Sequence, residues 1–482
     1  MKYSILKDLK PLEFFYWFGE VCAIPHGSKK EEKLVEFIVN FLTERNLDYS
    51  LDFKGNIFVR LPTSKGYENQ PSILFQAHLD MVTVKDEGIV FDFEKDPLSL
   101  RIVDNKLYAS GTSLGADNGV GIATMLALLD SKTIVHPTLE FLFTVDEETG
   151  LNGIKEFDTD KISARRMINM DCGDSHVIAV SSTGKLGGNI AKTFLVNSKK
   201  QDYCTLKLII DGGLGGHSSL SVRNGRACAV TLLAEILSSV LDCEIELSSI
   251  KTKGVAIFKG LEAVISCHKN QKANVIDVLT ESFNKIKIIF ENTDPNIALT
   301  ILEENSLINP ISAQQTKSVV NLLSLIKTAP YREDGENNSI LLTFTVLQSV
   351  SLENGIFSLE FFVRSTIDYD IISLFNYYNR FSALLGFEIN KGTSYVGWKE
   401  TKRSIFREKA IAVHKKLFNY EPSFERVQGG IETAVIVSKI KDMDAIGFAP
   451  TARGAHTTSE CIFLNETQDF WDWLIALLKE KE

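Results

Sequence analysis

His78 and Asp80 stand two residues apart, just after the apolar stretch Ile73-Leu74-Phe75-Gln76-Ala77. Asp117 lies inside the turn Leu114-Gly115-Ala116-Asp117-Asn118-Gly119, Glu147 and Glu148 follow the apolar run at 139–145, and Asp171 follows residues 167–170. Histidine and carboxylates are good ligands for zinc. Residues two apart on an extended segment project to the same side. Asp80 is therefore placed to accept the proton of the second ring nitrogen of His78 and fix its tautomer. Adjacent Glu147 and Glu148 can divide the labour, one binding metal while the other accepts a proton. Glu147, beside a cation-activated water, would take that proton and deliver it to a leaving amine. Each piece alone has a bland explanation: a chance His-x-Asp, a solvated Glu-Glu turn, an Asp-Asn-Gly turn. Their repeated placement just after apolar strands is what argues for a metal.

The elements that must position these residues alternate. Leu34, Phe37, Ile38, Phe41 and Leu42 mark one face of a helix, with Ser28 near its start. The spacing predicts strands over 56–61, 72–76, 139–145 and 167–170, and a buried helix over 119–130. This βα alternation implies a mostly parallel sheet covered by helices, whose loops beyond the strand ends converge on one crevice. The middle differs: strands over 203–210, 255–259, 340–350 and 357–364 alternate with helices over 225–241, 273–286 and 316–326. That is an α+β pattern. Helices over 408–418 and 470–478, an apolar segment at 433–438 and a strand over 444–448 return to the first style. The fold class expected is α/β, a catalytic domain formed by 1–186 and 394–482, with an α+β lid domain over 187–393 inserted in it.

Composition bounds the partners. A chain of 482 residues, 44% hydrophobic and 24% charged, has material for two packed cores. Its net charge of −10 argues against nucleic acid and anionic membrane as main partners. No run of about 18 apolar residues is present, so no membrane span is expected. The first 28 residues are interrupted by Asp8 and Glu13 and read as an amphipathic helix rather than a signal peptide. Seven scattered cysteines without a CxxC motif suit a reducing cytoplasm.

Specific segments carry a family resemblance: CAIPHGS at 22–28, FQAHLDMV at 75–82, GTSLGADNGVGIA at 111–123, TVDEETG at 144–150, INMD at 168–171, GGHSS at 215–219 and GAHTTSE at 454–460. They occur in the order found in aminoacyl-histidine (Xaa-His) dipeptidases, di-zinc peptidases related to glutamate carboxypeptidases, carnosinases and tripeptidases, and the chain resembles that family over its whole length. The resemblance implies a metal-dependent hydrolase of dipeptides or short peptides. His78 and Asp171 would complete one metal site, Glu148 and His456 the other, and Asp117 would bridge them through a peptide unit cis to Asn118. Two divalent ions about 3.5 Å apart would share a hydroxide. They would be Zn2+ by family, with Mn2+ or Co2+ also accepted by carboxylate-rich sites. Glu147 would be general base and then acid, Asp80 would orient His78, and His217 would stabilise the oxyanion. Arg364 is similar to a lid arginine that meets a substrate carboxylate, and Glu432 occupies a pocket motif. The resemblance leaves monomer and homodimer both open.

Departures cluster away from the ligands. The family's RNAIPRE segment corresponds to SCHKNQKANVI at 266–276, ETSLN to LTFTV at 342–346, and HAGLE to QGGIE at 428–432. Arg223 stands where histidine is usual. Peptide-bond hydrolysis is thus better supported than a histidine-containing substrate. An amidohydrolase of N-acyl amino acids and a non-catalytic metal-binding relative are the alternatives.

Overall fold

A computed structural model describes residues 2–216, 222–254, 256–304, 308–335 and 341–482, without the side chain of Arg223. The chain divides into two compact units, Met1–Ser182 with Trp398–Glu482, and Thr183–Gly397. The insertion expected over 187–393 thus begins four residues earlier and ends four later in the structure.

In the first unit the apolar runs become sheet. Ile73–His78 and Leu139–Thr144 are buried at every position, as befits strands covered on both faces. They pair in parallel, and Ile73–His78 pairs in parallel with Arg166–Asn169 on its other side. Asp444–Gly447 continues the parallel run. At one flank Ile57–Leu61 and Asp48–Leu51 add antiparallel strands, and at the other Val177–Ser182 and Ser423–Val427 complete an eight-stranded sheet. The parallel centre matters for function, because it brings the carboxyl ends of three strands side by side.

The helix Ala116–Asp130 packs across this centre, and its middle is buried on all sides. Against it lies Leu12–Cys22, whose Phe14, Phe15, Trp17, Phe18 and Val21 join the same core. A Cβ on Gly121 would overlap Asn118 Oδ1 and sit 2.7 Å from Met170 Cβ and 2.8 Å from Ala77 Cβ. Only glycine lets the helix approach the strands this closely. The helix near Ser28 spans Glu32–Glu44, and its N-cap position is taken by Glu31 rather than Ser28.

The second unit has, among the described residues, a nine-stranded antiparallel sheet, with helices Ala229–Ser238, Lys272–Lys287, Ala313–Leu325 and Asp368–Leu384. Leu341–Glu353 and Ile356–Ser365 form its longest hairpin, matching the strand pair expected there. One expectation fails. Of the segment 255–259, the described residues 256–259 do not form a strand; the strands are Glu246–Lys253 and Gly260–His268 on either side. Ala256, Ile257 and Phe258 are apolar because the connection itself is buried, at 1%, 4% and 0% exposure. A short apolar run is the mark of burial and of extension alike, and here burial is the cause. Among the described residues no helix is long and apolar enough to cross a membrane.

The Gly121 contact is testable. Gly121→Ala should destabilise the protein by about 1–3 kcal/mol, the usual cost of overpacking a close-packed interior. A lowered urea midpoint at unchanged slope is the expected result, and an unchanged midpoint would contradict the contact.

Candidate metal centre

The three central strands end at one level, and each end delivers acidic or imidazole side chains. His78 closes the first strand, Glu147 and Glu148 follow the second, and Asp171 follows the third. Asp117 enters from the kinked start of the helix Ala116–Asp130, where it and Asn118 have non-helical backbone angles, and its peptide bond to Asn118 is cis. His456 arrives from the C-terminal segment with φ +64°, a left-handed conformation uncommon outside glycine.

These side chains converge in two groups that share Asp117. His78 Nε2 lies 2.9 Å from Asp117 Oδ1 and 3.2 Å from Asp171 Oδ1. His456 Nε2 lies 3.3 Å from Asp117 Oδ2 and 2.8 Å from Glu148 Oε1. Each oxygen of Asp117 therefore faces a different histidine and a different second carboxylate. Donors about 2.0–2.1 Å from one zinc at a tetrahedral angle are about 3.3 Å apart, so both groups have the spacing of a coordination shell. Ligand atoms of His78, Asp117 and Glu148 all lie within 4.8 Å of one another. Nitrogen and oxygen donors without thiolate suit zinc and also manganese or cobalt.

The backbone holds this acidic cluster together. Glu460 is 2% exposed, and it accepts the main-chain N–H groups of Leu114 and Gly115 at 2.8 Å and of Asp117 at 3.0 Å. Asp80 accepts the N–H of Glu147 at 2.9 Å and of Glu148 at 3.1 Å, one on each oxygen. Glu31 accepts from Lys29 and Asp146. The role expected of Asp80 changes in emphasis. His78 Nδ1 lies 3.0 Å from the main-chain oxygen of Asp80 and 3.5 Å from its carboxylate. The carboxylate chiefly fixes the Glu147-Glu148 turn.

Proton affinities record the crowding. Burial pulls the His78 imidazole down, but the charge of Asp171 and the hydrogen bonds to Asp117 and Asp171 outweigh it and raise it well above its ordinary value. Hydrogen bonds to Asp117 and Glu148 lift His456 to about 10. Burial pushes Asp117 up, but its bonds to His456 and His78 prevail and hold it low. For Asp80 burial is likewise overcome, by His78 and the Glu147 amide, leaving it at about 2. Asp171 rises to about 7 through burial, with repulsion from Asp117 opposing the pull of His78. Glu147 is raised well above the carboxylate range by burial and by Asp171, Glu432 and Glu148, against the attraction of His78. That is the direction a general base needs.

Other expected residues lie elsewhere. His217 is outside the described residues. Arg364 pairs with Phe344 across the hairpin of the second unit, donates to Thr183 Oγ1 at 3.3 Å and stacks over Phe362. Glu432, expected to contact substrate, is corrected: it is 0% exposed and its partners are Gln76 and Thr144. Glu31 and Glu460, which organise the turns, are absent from the set expected on sequence. Asking which group satisfies the amides of the Gly-rich turn would have pointed to a buried acid.

The sequence and the fold have known counterparts. The sequence profile of peptidase family M20/M25/M40 matches residues 74–480. The cytosol non-specific dipeptidase of Escherichia coli K12 is 28% identical over 484 aligned residues, covering 99% of each chain. The crystal structure of aminoacylhistidine dipeptidase from Vibrio alginolyticus superposes with a TM-score of 0.89 at 25% identity, covering 100% of this chain and 99% of that one. Aminopeptidase PepT from Bacillus cereus shares the fold with a TM-score of 0.56 at 17% identity over 98% of each chain.

Metal-stripped protein should lose stability as pH rises. Asp171 and Glu460 are raised to about 7 and Glu432 to about 8, burial being the first cause in each. A carboxyl group whose folded value lies above its unfolded value contributes stability that is complete at low pH and lost as pH climbs through the folded value. Denaturation of chelator-treated protein should therefore show a midpoint that falls between the unfolded and folded values, from about pH 4 to 8, and zinc should abolish the fall. A flat profile without metal would contradict the electrostatics.

Proposed function

This chain belongs to peptidase family M20/M25/M40, and on that premise we propose that it hydrolyses the amide bond of dipeptides with the aid of two divalent metal ions. The observation that carries the reading is the disposition of Asp117, with each carboxylate oxygen facing a separate histidine-carboxylate pair. His78, Asp171 and Asp117 would hold one ion, and His456, Glu148 and Asp117 would hold the other. When bound, such ions polarise a carbonyl and lower the pKa of water. Zinc is the metal implied by the family resemblance, and the carboxylate-rich donor set also accepts manganese or cobalt.

The chain's own residues do the rest. Glu147 is 9% exposed, keeps its proton affinity high, and is tied by its main-chain N–H to Asp80. It takes a proton from the attacking water and returns it to the leaving nitrogen. Asp80 keeps that carboxylate from drifting. The roles of His217 at the oxyanion and of Arg364 at a substrate carboxylate would follow from the family resemblance alone. The cytosol assignment of the Escherichia coli relative and the free cysteines support a cytoplasmic protein.

Purified protein loaded with zinc should cleave dipeptides, lose activity to chelator and bind two ions per chain. A panel of dipeptides beside N-acyl amino acids decides the substrate class; cleavage confined to the acyl compounds would replace the dipeptide reading. Glu147→Ala should lower kcat by about 10²–10⁴, the usual share of a general acid-base group, with metal stoichiometry unchanged. Normal turnover would remove Glu147 from the base role.

A further inference from the structure

Beneath the ligands lies a second polar layer in strands that are otherwise apolar. Gln76, Thr144, Asn169 and Glu432 are each 0% exposed. Glu432 opens the helix Glu432–Lys439 and sends its side chain among the three central strands. Gln76 Nε2 and Thr144 Oγ1 both donate to Glu432 Oε2, the latter at 2.5 Å. Gln76 Nε2 also lies 3.2 Å from Thr144 Oγ1. Asn169 Nδ2 donates to Gln76 Oε1 at 2.5 Å, while Asn169 Oδ1 accepts the main-chain N–H of Asp171 at 3.0 Å. Gln76 precedes His78 by two residues, and Asn169 precedes Asp171 by two. In a strand that spacing places Gln76 and His78 on one face, and Asp171 lies just beyond the strand end at Asn169. Every strand that presents a ligand or the base is thus tied to its neighbours one step below the chemistry.

A buried carboxylate in this position is not explained by stability. The groups acting on it include His78, which attracts it, and Asp171 and Asp80, which repel it. Its second oxygen, Oε1, has no hydrogen-bond partner among the described residues. Burial raises this group to about 8, so packing alone favours an uncharged side chain there.

We propose that Glu432 is a positioning residue: its carboxylate joins Gln76, Thr144 and, through Gln76, Asn169 into one layer that fixes the relative heights of the strand ends bearing His78, Glu147-Glu148 and Asp171. This inference rests on the metal and base roles proposed above. Glutamine at 432 keeps an oxygen where Gln76 and Thr144 donate, whereas alanine leaves both donors without an acceptor. Glu432 acts through these neighbours and does not touch the reacting atoms.

The test compares wild type, Glu432→Gln, Glu432→Ala and Gln76→Met, measuring zinc affinity by competition with a chromophoric chelator and kcat and KM on a dipeptide at saturating zinc. Glu432→Ala should bind zinc about 10–100-fold more weakly, the range for partners that orient ligands, and lose kcat at nearly unchanged KM. Glu432→Gln should stay within about threefold of wild type in both, since the oriented hydrogen bonds survive. Gln76→Met, which cuts the link to Asn169 and leaves Glu432 in place, should weaken zinc binding as well, and it carries the test if the alanine variant fails to fold. Wild-type affinity and kcat in both Glu432→Ala and Gln76→Met overturn the proposal. So does a Glu432→Gln variant as impaired as alanine, because charge and not geometry would then be responsible. Wild-type protein that binds no zinc refutes the metal reading itself, a failure distinct from these.

Discussion

Like-charge repulsion within one buried region is the constraint on which the first unit is built. Asp80, Asp117, Glu147, Glu148, Asp171, Glu432 and Glu460 converge there, and the groups of opposite sign acting on them are His78 and His456. Desolvation makes each charge costly, and proximity makes each one raise the next. The cluster divides its protons unevenly as a result. Asp117 and Asp80 stay ionised against imidazole and amide partners, while Glu147, Asp171, Glu432 and Glu460 are driven upward. Bound divalent cations are the largest local charges such a site can hold, and they reverse that logic.

Holding mutually repelling groups at fixed distances demands a stiff frame. The frame is made of main-chain amides rather than cationic side chains. Glu460 takes three N–H groups from the turn that carries Asp117, and Asp80 takes two from the turn that carries Glu147 and Glu148. Amide donors cost little mobility, because the backbone is already fixed by parallel strands and a closely packed helix. Gly121 allows that helix to approach Ala77 and Met170, immediately under His78 and Asp171. The close packing and the chemistry are therefore one arrangement viewed at two depths.

How much of this the sequence disclosed depends on the kind of interaction. The central strands are legible because they are buried on both faces and read as continuous apolar runs. His78, Asp117, Glu147, Glu148, Asp171 and His456 are legible because acids and histidines recur after those runs within motifs of a known family. Glu432 is legible as a residue of interest but not in its role. A polar residue in a pocket motif suggests contact with substrate, and only the fold reveals that it points beneath the ligands. Glu460 and Glu31 escape notice because their partners are amides, which every residue but proline possesses and no motif advertises. Residues 255–259 mislead because burial and extension leave the same mark on a short apolar run.

The candidate ligands and most departures from the family motifs lie in different units. At the point of insertion, Ser182 and Trp398 exchange main-chain hydrogen bonds of 2.9 and 3.0 Å, closing the first unit on itself across the long interruption. Loop-closure entropy grows only with the logarithm of length, so an insertion between two residues already pinned together adds little thermodynamic burden. Every described ligand candidate and Glu147 belong to the first unit, while the departures at 266–276 and 342–346 and at Arg223 fall within the insertion. Substitutions there leave the amides, the strand heights and the shared carboxylate of Asp117 untouched. A pocket hydrogen bond gained or lost can change selectivity by orders of magnitude without altering the bond that is broken. The candidate ligands thus bear on amide hydrolysis, and the departures, at 428–432 as well as in the insertion, bear on which amide is chosen.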